Sequence, residues 1–240
     1  MISYTNYVNY VINYLPISYG AIMFFEADID AVLLDMDGTL LDLHYDNHFW
    51  LEFVPRQYAL KHQLSLQQAK HHVYAQCDKV TGSLNWYCHD YWSETLGLDI
   101  HALQYKTKHK IQLRNDTLWF LEKLKQLNIP AYILTNAHRS GVGLKMQQTD
   151  LTPYFKKIIS SHDFNMPKEN PRFWKGVEEE LQVDLSRCLF VDDSEKILAV
   201  AEQSGVGFLR GIATPDSEKP AQIMQAFETI KQFSELFKRI

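Results

Sequence analysis

The chain has 240 residues, enough for one α/β domain with a smaller insert, and 46% of them are hydrophobic, enough for a sizeable core. Its formal charge is −5, from 29 acidic and 24 basic side chains, and it carries no long Lys/Arg run, which argues against a nucleic-acid polymer as partner. A small anionic ligand needs only one local cluster of donors. The cysteines Cys77, Cys88 and Cys188 are odd in number and lack C-x-x-C spacing, so neither a disulfide framework nor a zinc knuckle is indicated, and a reducing cytoplasm is expected. No apolar run approaches the ~20 residues a membrane span needs, and no Lys or Arg precedes Arg56, so a signal peptide and a membrane partner are not expected. Nothing asks for more than a monomer or a small homo-oligomer.

Residues 1–22 hold five tyrosines, three asparagines and no charge. Aromatic or apolar residues at 4, 7, 8, 11, 14 and 15 fit a helix stripe that Pro16 would end, or a poorly ordered extension; Met23 opens the stretch that reads as the domain proper and would serve as a start. The run AVLL (31–34) reads as a strand buried on both faces, followed at once by Asp35, Asp37 and the turn residue Gly38. Side chains alternate along a strand, so Asp35 and Asp37 reach one pocket. Two such carboxylates repel unless a cation neutralises them or one holds a proton, which suits a divalent metal with oxygen ligands.

Residues 43–112 carry helix signals and no convincing strand, an all-α insert of about four helices that looks like a lid or cap. Ser65 with Gln68 makes a capping box, Pro55 should break the preceding helix, and Gly97 should close a helix running from about Ser83. From 113 to 240 the pattern becomes α/β and, with residues 23–42, forms the core. A helix capped by Asp116 leads to the strand AYIL (131–134). A helix from about Arg139, the strand KIIS (157–160), a helix after Pro171 and the strand CLFV (188–191) follow. A helix capped by Ser194 and ended by Gly205 and a strand VGFL (206–209) complete the alternation, and residues 221–240 read as one or two amphipathic helices. The fold class is therefore α/β, a doubly wound parallel sheet with an inserted all-α cap.

In such sheets ligands bind outside the carboxyl ends of the strands. Those ends present Asp35, Asp37, Gly38 and Thr39, then Thr135 and Asn136, then Lys168, then Asp192, Asp193 and Ser194. Taken singly, Thr135-Asn136 and Asp192-Asp193-Ser194 read more readily as helix N-caps and Lys168 as a solvated loop residue. Together they supply donors for a phosphoryl group and oxygens for Mg²⁺.

At these residues the chain resembles the haloacid dehalogenase-like (HAD) hydrolase superfamily: its DxDGT motif is Asp35-Met36-Asp37-Gly38-Thr39, its Thr after the second strand Thr135, its loop lysine Lys168, its acidic pair Asp192-Asp193. The resemblance covers about residues 27–215, and the helical insert sits where the C1 cap of subfamily I sits. More narrowly, LLDMDGTLLDL, LNWYCHDYWSETLGLDI, ILTNAH and LFVDDSEKIL look like the GMP/IMP 5'-nucleotidases of proteobacteria. The resemblance implies a Mg²⁺-dependent phosphomonoesterase of purine nucleotide metabolism. Asp35 would be the nucleophile, forming an aspartyl-phosphate, and Asp37 the acid and then the base. Thr135, Asn136, Lys168 and the backbone amides of Met36 and Asp37 would hold the phosphoryl group. Mg²⁺ would take the Asp35 and Asp193 carboxylates and the Asp37 carbonyl, with Asp192 close by or also ligating.

Base selection should come from the cap, where Trp86, Tyr87, Tyr91 and Trp92 offer an aromatic platform, although residues 87 and 91, like 88 and 92, are one helical turn apart, and aromatics at that spacing are more often bundle core. Asn47, Asn85, His89, Asn136 and His138 are candidates to read base or ribose edges. His44 and His48, four apart, have no third ligand at metal spacing and read as polar cap surface. Other readings keep the fold and change the chemistry: a sugar-phosphate phosphatase or phosphomutase, a phospho-acceptor domain, or a catalytically silent binding protein. Asp37 tells against a dehalogenase.

Overall fold

The computed structural model describes residues 22–24 and 29–239. The expected helix over residues 4–15 lies outside the described residues. In chain order come strand β1 (Ile22–Phe24), strand β2 (Ala31–Leu34), helix α1 (His44–His48), a π-helical turn (Phe49–Phe53) and helices α2 (Val54–His62), α3 (Leu66–Val80), α4 (Leu84–Tyr87), α5 (His89–Leu96) and α6 (Ile100–Thr107). Then follow α7 (Thr117–Gln126), β3 (Ala131–Thr135), α8 (Arg139–Thr149), β4 (Lys157–Ser160), α9 (Pro171–Leu181) and β5 (Cys188–Asp192). The chain closes with α10 (Glu195–Gln203), β6 (Phe208–Ile212), β7 (Thr229–Ile230) and β8 (Phe237–Arg239).

Six strands form one sheet in the order β4-β3-β2-β5-β6-β7, every neighbouring pair parallel. Strand β2 lies inside the sheet, and none of its four residues is exposed. Its alternation divides the core: Val32 and Leu34 pack with Phe120 and Leu124 of α7 and Val142 of α8, while Ala31 and Leu33 pack with Phe173 and Trp174 of α9 and Leu198 of α10. Helices cover both faces, as an all-parallel sheet requires. The chain leaves β2 toward β3 on one side and returns to β5 on the other, so the crevice above β2 is the switch point where a ligand site is expected. Helices α1–α6 close a third cluster of their own, built on Phe49, Val54, Val73, Trp92 and Ile100.

The insert departs from its sequence reading at two points. Pro55 does not end a helix, because α1, the π turn and α2 run on without a gap. Its missing N–H falls where the ladder changes from the wide turn to the α-helix, so no regular α bond is lost. Second, the helix expected from Ser83 to Gly97 is broken at Cys88, whose backbone is extended (φ −87°, ψ 113°), although Gly97 (φ 61°) closes α5 as read. The break turns the Trp92 indole toward α4, where Nε1 donates to the Trp86 carbonyl at 2.9 Å.

The C-terminal reading is also corrected. Strand β6 begins at Phe208 because the amides of Val206 and Gly207 are already given to Ala201 and Leu185 carbonyls. Residues 221–239 form no α-helix; they add β7 to the sheet, make a 3₁₀ turn (Phe233–Leu236), and pair β8 antiparallel with β1. The buried Phe233 and Leu236 fall three apart within the turn, the 3₁₀ period. Phe233 stacks on Phe120, ring centroids 4.3 Å apart. Asp116 and Ser194 occupy their N-cap positions without side-chain cap bonds. Asp116 instead accepts the Ser234 amide at 3.0 Å and so pins the tail.

Candidate active site

The floor of the site is laid by strand ends. Asp35 follows β2 directly, while Met36 turns the other way into the core, as the alternation requires. Gly38 (φ +91°) then bends the chain; a Cβ there would stand 2.5 Å from Asp193 Oδ2, so the glycine lets the first loop and the Asp193 carboxylate meet. Arg114, just after the insert, fixes the loop by donating from Nη1 to the Thr39 carbonyl at 2.9 Å.

Lys168 is the centre of this floor. Its side chain is 1% exposed, and Nζ donates to Asp35 Oδ1 at 2.5 Å, Asp192 Oδ2 at 2.7 Å and the Leu134 carbonyl at 3.1 Å. Burial alone would lower the ammonium, but the Asp192 and Asp35 carboxylates outweigh it and hold it above the ordinary lysine range. Burial pushes the Asp35 carboxyl up to about 7, against the Lys168 charge and with the help of the Asp192 and Asp37 carboxylates. Asp193 is raised well above the ordinary carboxylate range by burial and by Asp192 and Asp35. One ammonium faces too many carboxylates here, and the corner is short of positive charge.

A second buried lysine, Lys145 of α8, stands beside it. Its Nζ donates to Asp37 Oδ1 at 2.7 Å and to both oxygens of Asp46, on α1, at 2.8 and 2.9 Å. Burial and the Asp37 carboxylate push Asp46 up to about 6, with Lys145 opposing. Two carboxylates on one ammonium leave room in this corner for a proton.

Above the floor opens a cavity of about 810 Å³, in the range that holds a small-molecule ligand. Asp35, Asp37, Thr135, Asn136, Lys168 and Asp193 lie at its base, and Trp50, Trp86, Tyr87, His89 and Trp92 wall it from the cap. Asn47 is at its side, with Nδ2 donating to Asp216 at 2.6 Å. The cap is joined to the floor through Glu169, which accepts from Tyr87 Oη at 2.9 Å and from Asn136 Nδ2 at 2.9 Å, while Asn136 Oδ1 accepts the Lys168 amide at 2.9 Å.

Asn136 thus uses its carbonyl oxygen and one of its two amide N–H groups to position the Lys168 loop, and its second N–H remains for a ligand in the cavity it lines. Thr135 Oγ1 accepts the Ala137 amide at 3.0 Å and keeps its own proton for a ligand. Asp192 accepts from Lys168 at Oδ2 and from the Ser194 amide at Oδ1, 2.8 Å away. His89 lines the cavity, but Nδ1 meets Ser140 Oγ at 2.9 Å and Nε2 receives Gln104 Nε2 at 3.1 Å. Burial, together with the His138 and Lys145 charges, pushes His89 down to about 2, so it is a neutral tie between cap and core. Gly141 permits the tie, since a Cβ there would lie 2.8 Å from the His89 ring. Tyr91, Asn85 and His138 do not line the cavity: Tyr91 packs against the cap core, and His138 faces another histidine cluster. His44 does not line the cavity and lies 3.5 Å from Glu218.

Sequence reasoning missed Lys145, Asp46, Glu169 and Trp50. A signal existed for Lys145, which falls on the buried stripe of α8 with Gly141, Val142 and Met146, where a lysine needs a partner. No comparable signal marks Asp46 or Glu169, whose roles arise only when the cap folds onto the core.

A parallel sheet with a helical insert after its first core strand, and a carboxylate-lysine floor at the switch point, defines a hydrolase class that the family comparison bears out. The model of the haloacid dehalogenase-like hydrolases matches residues 29–205, and the chain belongs to that family. It is 44% identical over 190 residues to the GMP/IMP nucleotidase YrfG of Escherichia coli (strain K12), covering 79% of this chain and 86% of that protein, and equally to the YrfG of Shigella flexneri. Among solved structures, the HAD phosphatase of Thermococcus onnurineus aligns with a TM-score of 0.73 at 25% identity, over 87% of this chain and 96% of that one. The L-2-haloacid dehalogenase of Xanthobacter autotrophicus aligns at 0.55 and 21% identity, over 77% and 78%, and shares the fold.

Proposed function

We propose that the protein is a Mg²⁺-dependent phosphomonoesterase that hydrolyses purine nucleoside 5'-monophosphates, GMP and IMP, to nucleoside and phosphate. The observation that carries this reading is the Lys168 clamp on Asp35 and Asp192 beneath a cavity walled by aromatic rings. The 44% identity to a GMP/IMP nucleotidase supports the substrate.

Lys168 leaves Asp35 Oδ2 free to attack phosphorus in line with the leaving ribose 5'-oxygen, forming an aspartyl-phosphate and splitting one displacement into two. Lys168 and the Thr135 hydroxyl hold the phosphoryl oxygens as charge shifts among them. Asp37 gives its proton to the departing 5'-oxygen and later takes one from the water that hydrolyses the intermediate. Lys145 orients Asp37 for both transfers, and Asp46 on the same ammonium keeps the corner's charge balanced. Asn136 and Glu169 hold the Lys168 loop. The purine stacks on Trp86 and its neighbours, at ~1 to 3 kcal/mol per stack.

The donor set fits a hard cation: the carboxylates of Asp35 and Asp192 share one ammonium, and the Asp193 carboxyl beside them, raised by burial and by those two carboxylates, marks a deficit of positive charge. Asp35, Asp193 and the Asp37 carbonyl would hold Mg²⁺, with Asp192 acting through Lys168. When bound, the ion offsets the carboxylate charge and polarises the phosphoryl group.

Phosphate release from a panel of nucleoside 5'-monophosphates and sugar phosphates, with Mg²⁺ or EDTA, tests the proposal beside Asp35→Asn. Metal-dependent turnover strongest on GMP and IMP, absent from the variant, is expected. Turnover confined to sugar phosphates would discard the substrate and keep the chemistry; no turnover with Mg²⁺ on any of them would sink the reading.

A further inference from the structure

Away from the cavity floor, a cluster of imidazoles and one thiol gathers where the cap meets the core. Cys88 lies at the break between α4 and α5, His138 at the N-cap of α8, and His162 in the 3₁₀ turn after β4. One ligand atom from each lies within 4.8 Å of the others. The His138 and His162 rings are 4.8 Å apart, centre to centre, and nearly perpendicular. The proposed hydrolysis uses none of the three.

The donor chemistry is selective. A thiol with two imidazoles is the nitrogen-sulfur set that Zn²⁺ prefers and that Mg²⁺ avoids. Burial holds both imidazoles below the ordinary histidine range, so they are in the neutral, ligating form. Ser140 Oγ meets His138 Nδ1 at 2.9 Å; with Nδ1–H donating to that hydroxyl, Nε2 is the lone-pair nitrogen and the ring is held as a ligating imidazole usually is. His162 Nε2 is buried with no hydrogen-bond partner, a cost that a native protein rarely carries unless a water or an ion answers it. Asp90 Oδ2, 3.7 Å from His138 Nε2, adds negative charge and a potential fourth oxygen.

We propose that Cys88, His138 and His162 bind a single Zn²⁺-class ion that ties the Cys88 segment of the cap to two loops of the core. With metal–nitrogen bonds of about 2.0 Å and a metal–sulfur bond of about 2.3 Å, ligand atoms around a tetrahedral ion sit roughly 3.5 Å apart, so the three side chains need to close by about 1 Å. Binding transfers the Cys88 thiol proton to solvent and forms one sulfur–metal bond, so affinity rises with pH. A pinned Cys88 segment would slow the opening of the aromatic wall, giving the enzyme a metal-sensitive brake separate from the Mg²⁺ it needs.

The test titrates Co²⁺ and then Zn²⁺ into the full-length protein in excess Mg²⁺, beside Cys88→Ser and His162→Gln. Expected are one equivalent of Co²⁺ with a thiolate-to-cobalt charge-transfer band, displacement by Zn²⁺, and Zn²⁺ binding weakened by ~100-fold or more in each variant. The band should vanish in Cys88→Ser, and amide exchange over residues 84–96 should slow with Zn²⁺ in the wild type alone. No tight binding, no band, or equal affinity in wild type and both variants would overturn the site; equal affinity would place the ion among the carboxylates instead. Circular dichroism of each variant separates lost binding from lost fold.

Discussion

Lys168 and Lys145 are both buried ammoniums held between two carboxylates, yet they belong to different regions. All partners of Lys168 come from strand ends of the core: Asp35, Asp192 and the Leu134 carbonyl. Lys145 joins the core residue Asp37 to Asp46, which arrives on the first helix of the insert. The corner of Asp35, the proposed nucleophile, is therefore complete in the core alone, whereas that of Asp37, the proposed acid/base, is complete only with the cap in place. In the proposed reaction, attack belongs to the core, and proton transfer depends on the closed enzyme.

Breaking the core corner should cost most. Lys168→Met leaves Asp35 and Asp192 buried and unpaired; we expect turnover to fall by ~10³-fold or more and stability by about 3–5 kcal/mol, read by phosphate release and by urea titration. Lys145→Met should lower kcat by ~10²-fold with KM nearly kept, because the acid/base is misplaced and the phosphate clamp is intact. Adding Asp46→Asn to it should recover most of the lost stability, since the leftover charge is removed, but not the turnover. Additive stability losses in that double-mutant cycle would show that the two residues do not act as a pair.

A weaker effect separates the corners by pH. Asp46 has its folded pKa raised to about 6 and Asp35 to about 7, so each retains a proton in the folded state that the unfolded chain releases near pH 3.8. Their contribution to stability is fully present below that pH and is lost as pH rises through about 6 and 7. Without Mg²⁺ the melting temperature should therefore fall between pH 5 and 8, on the order of 5 °C, and Asp46→Asn should flatten the lower part of that slope while Mg²⁺ flattens the upper part. The smallest effect is expected at the roof: Trp86→Ala should raise KM for GMP by ~10-fold and leave kcat nearly unchanged. An equal effect on a sugar phosphate would argue that the indole packs the cap rather than stacks on a base.

The contrast between the corners also explains what could be read from the chain. Asp35, Thr135 and Asp192 each close an apolar run and Lys168 lies in the loop after β4, so local pattern and topology bring all four to one edge. Asp46 and Glu169 acquire meaning from contacts with residues about 100 and 80 positions away, Lys145 and Tyr87, which no local period encodes. Strands β2, β3 and β5 were legible because burial leaves nearly uninterrupted apolar runs; β7 and the tail were not, because apolar residues three and four apart look alike over so short a span. His138 was misplaced for a related reason. It lies two residues after Asn136, but the helix that starts there turns its ring away from the cavity.

Glu169 joins Tyr87 in the wall to Asn136 and so to the Lys168 amide. In the proposed reaction the clamp would register what stands under the rings: a substrate that fills the space would set it, and a shorter phosphoester would dock and leave it slack. Selectivity among phosphoesters would then be a matter of timing, written in how often a bound molecule reacts before it escapes.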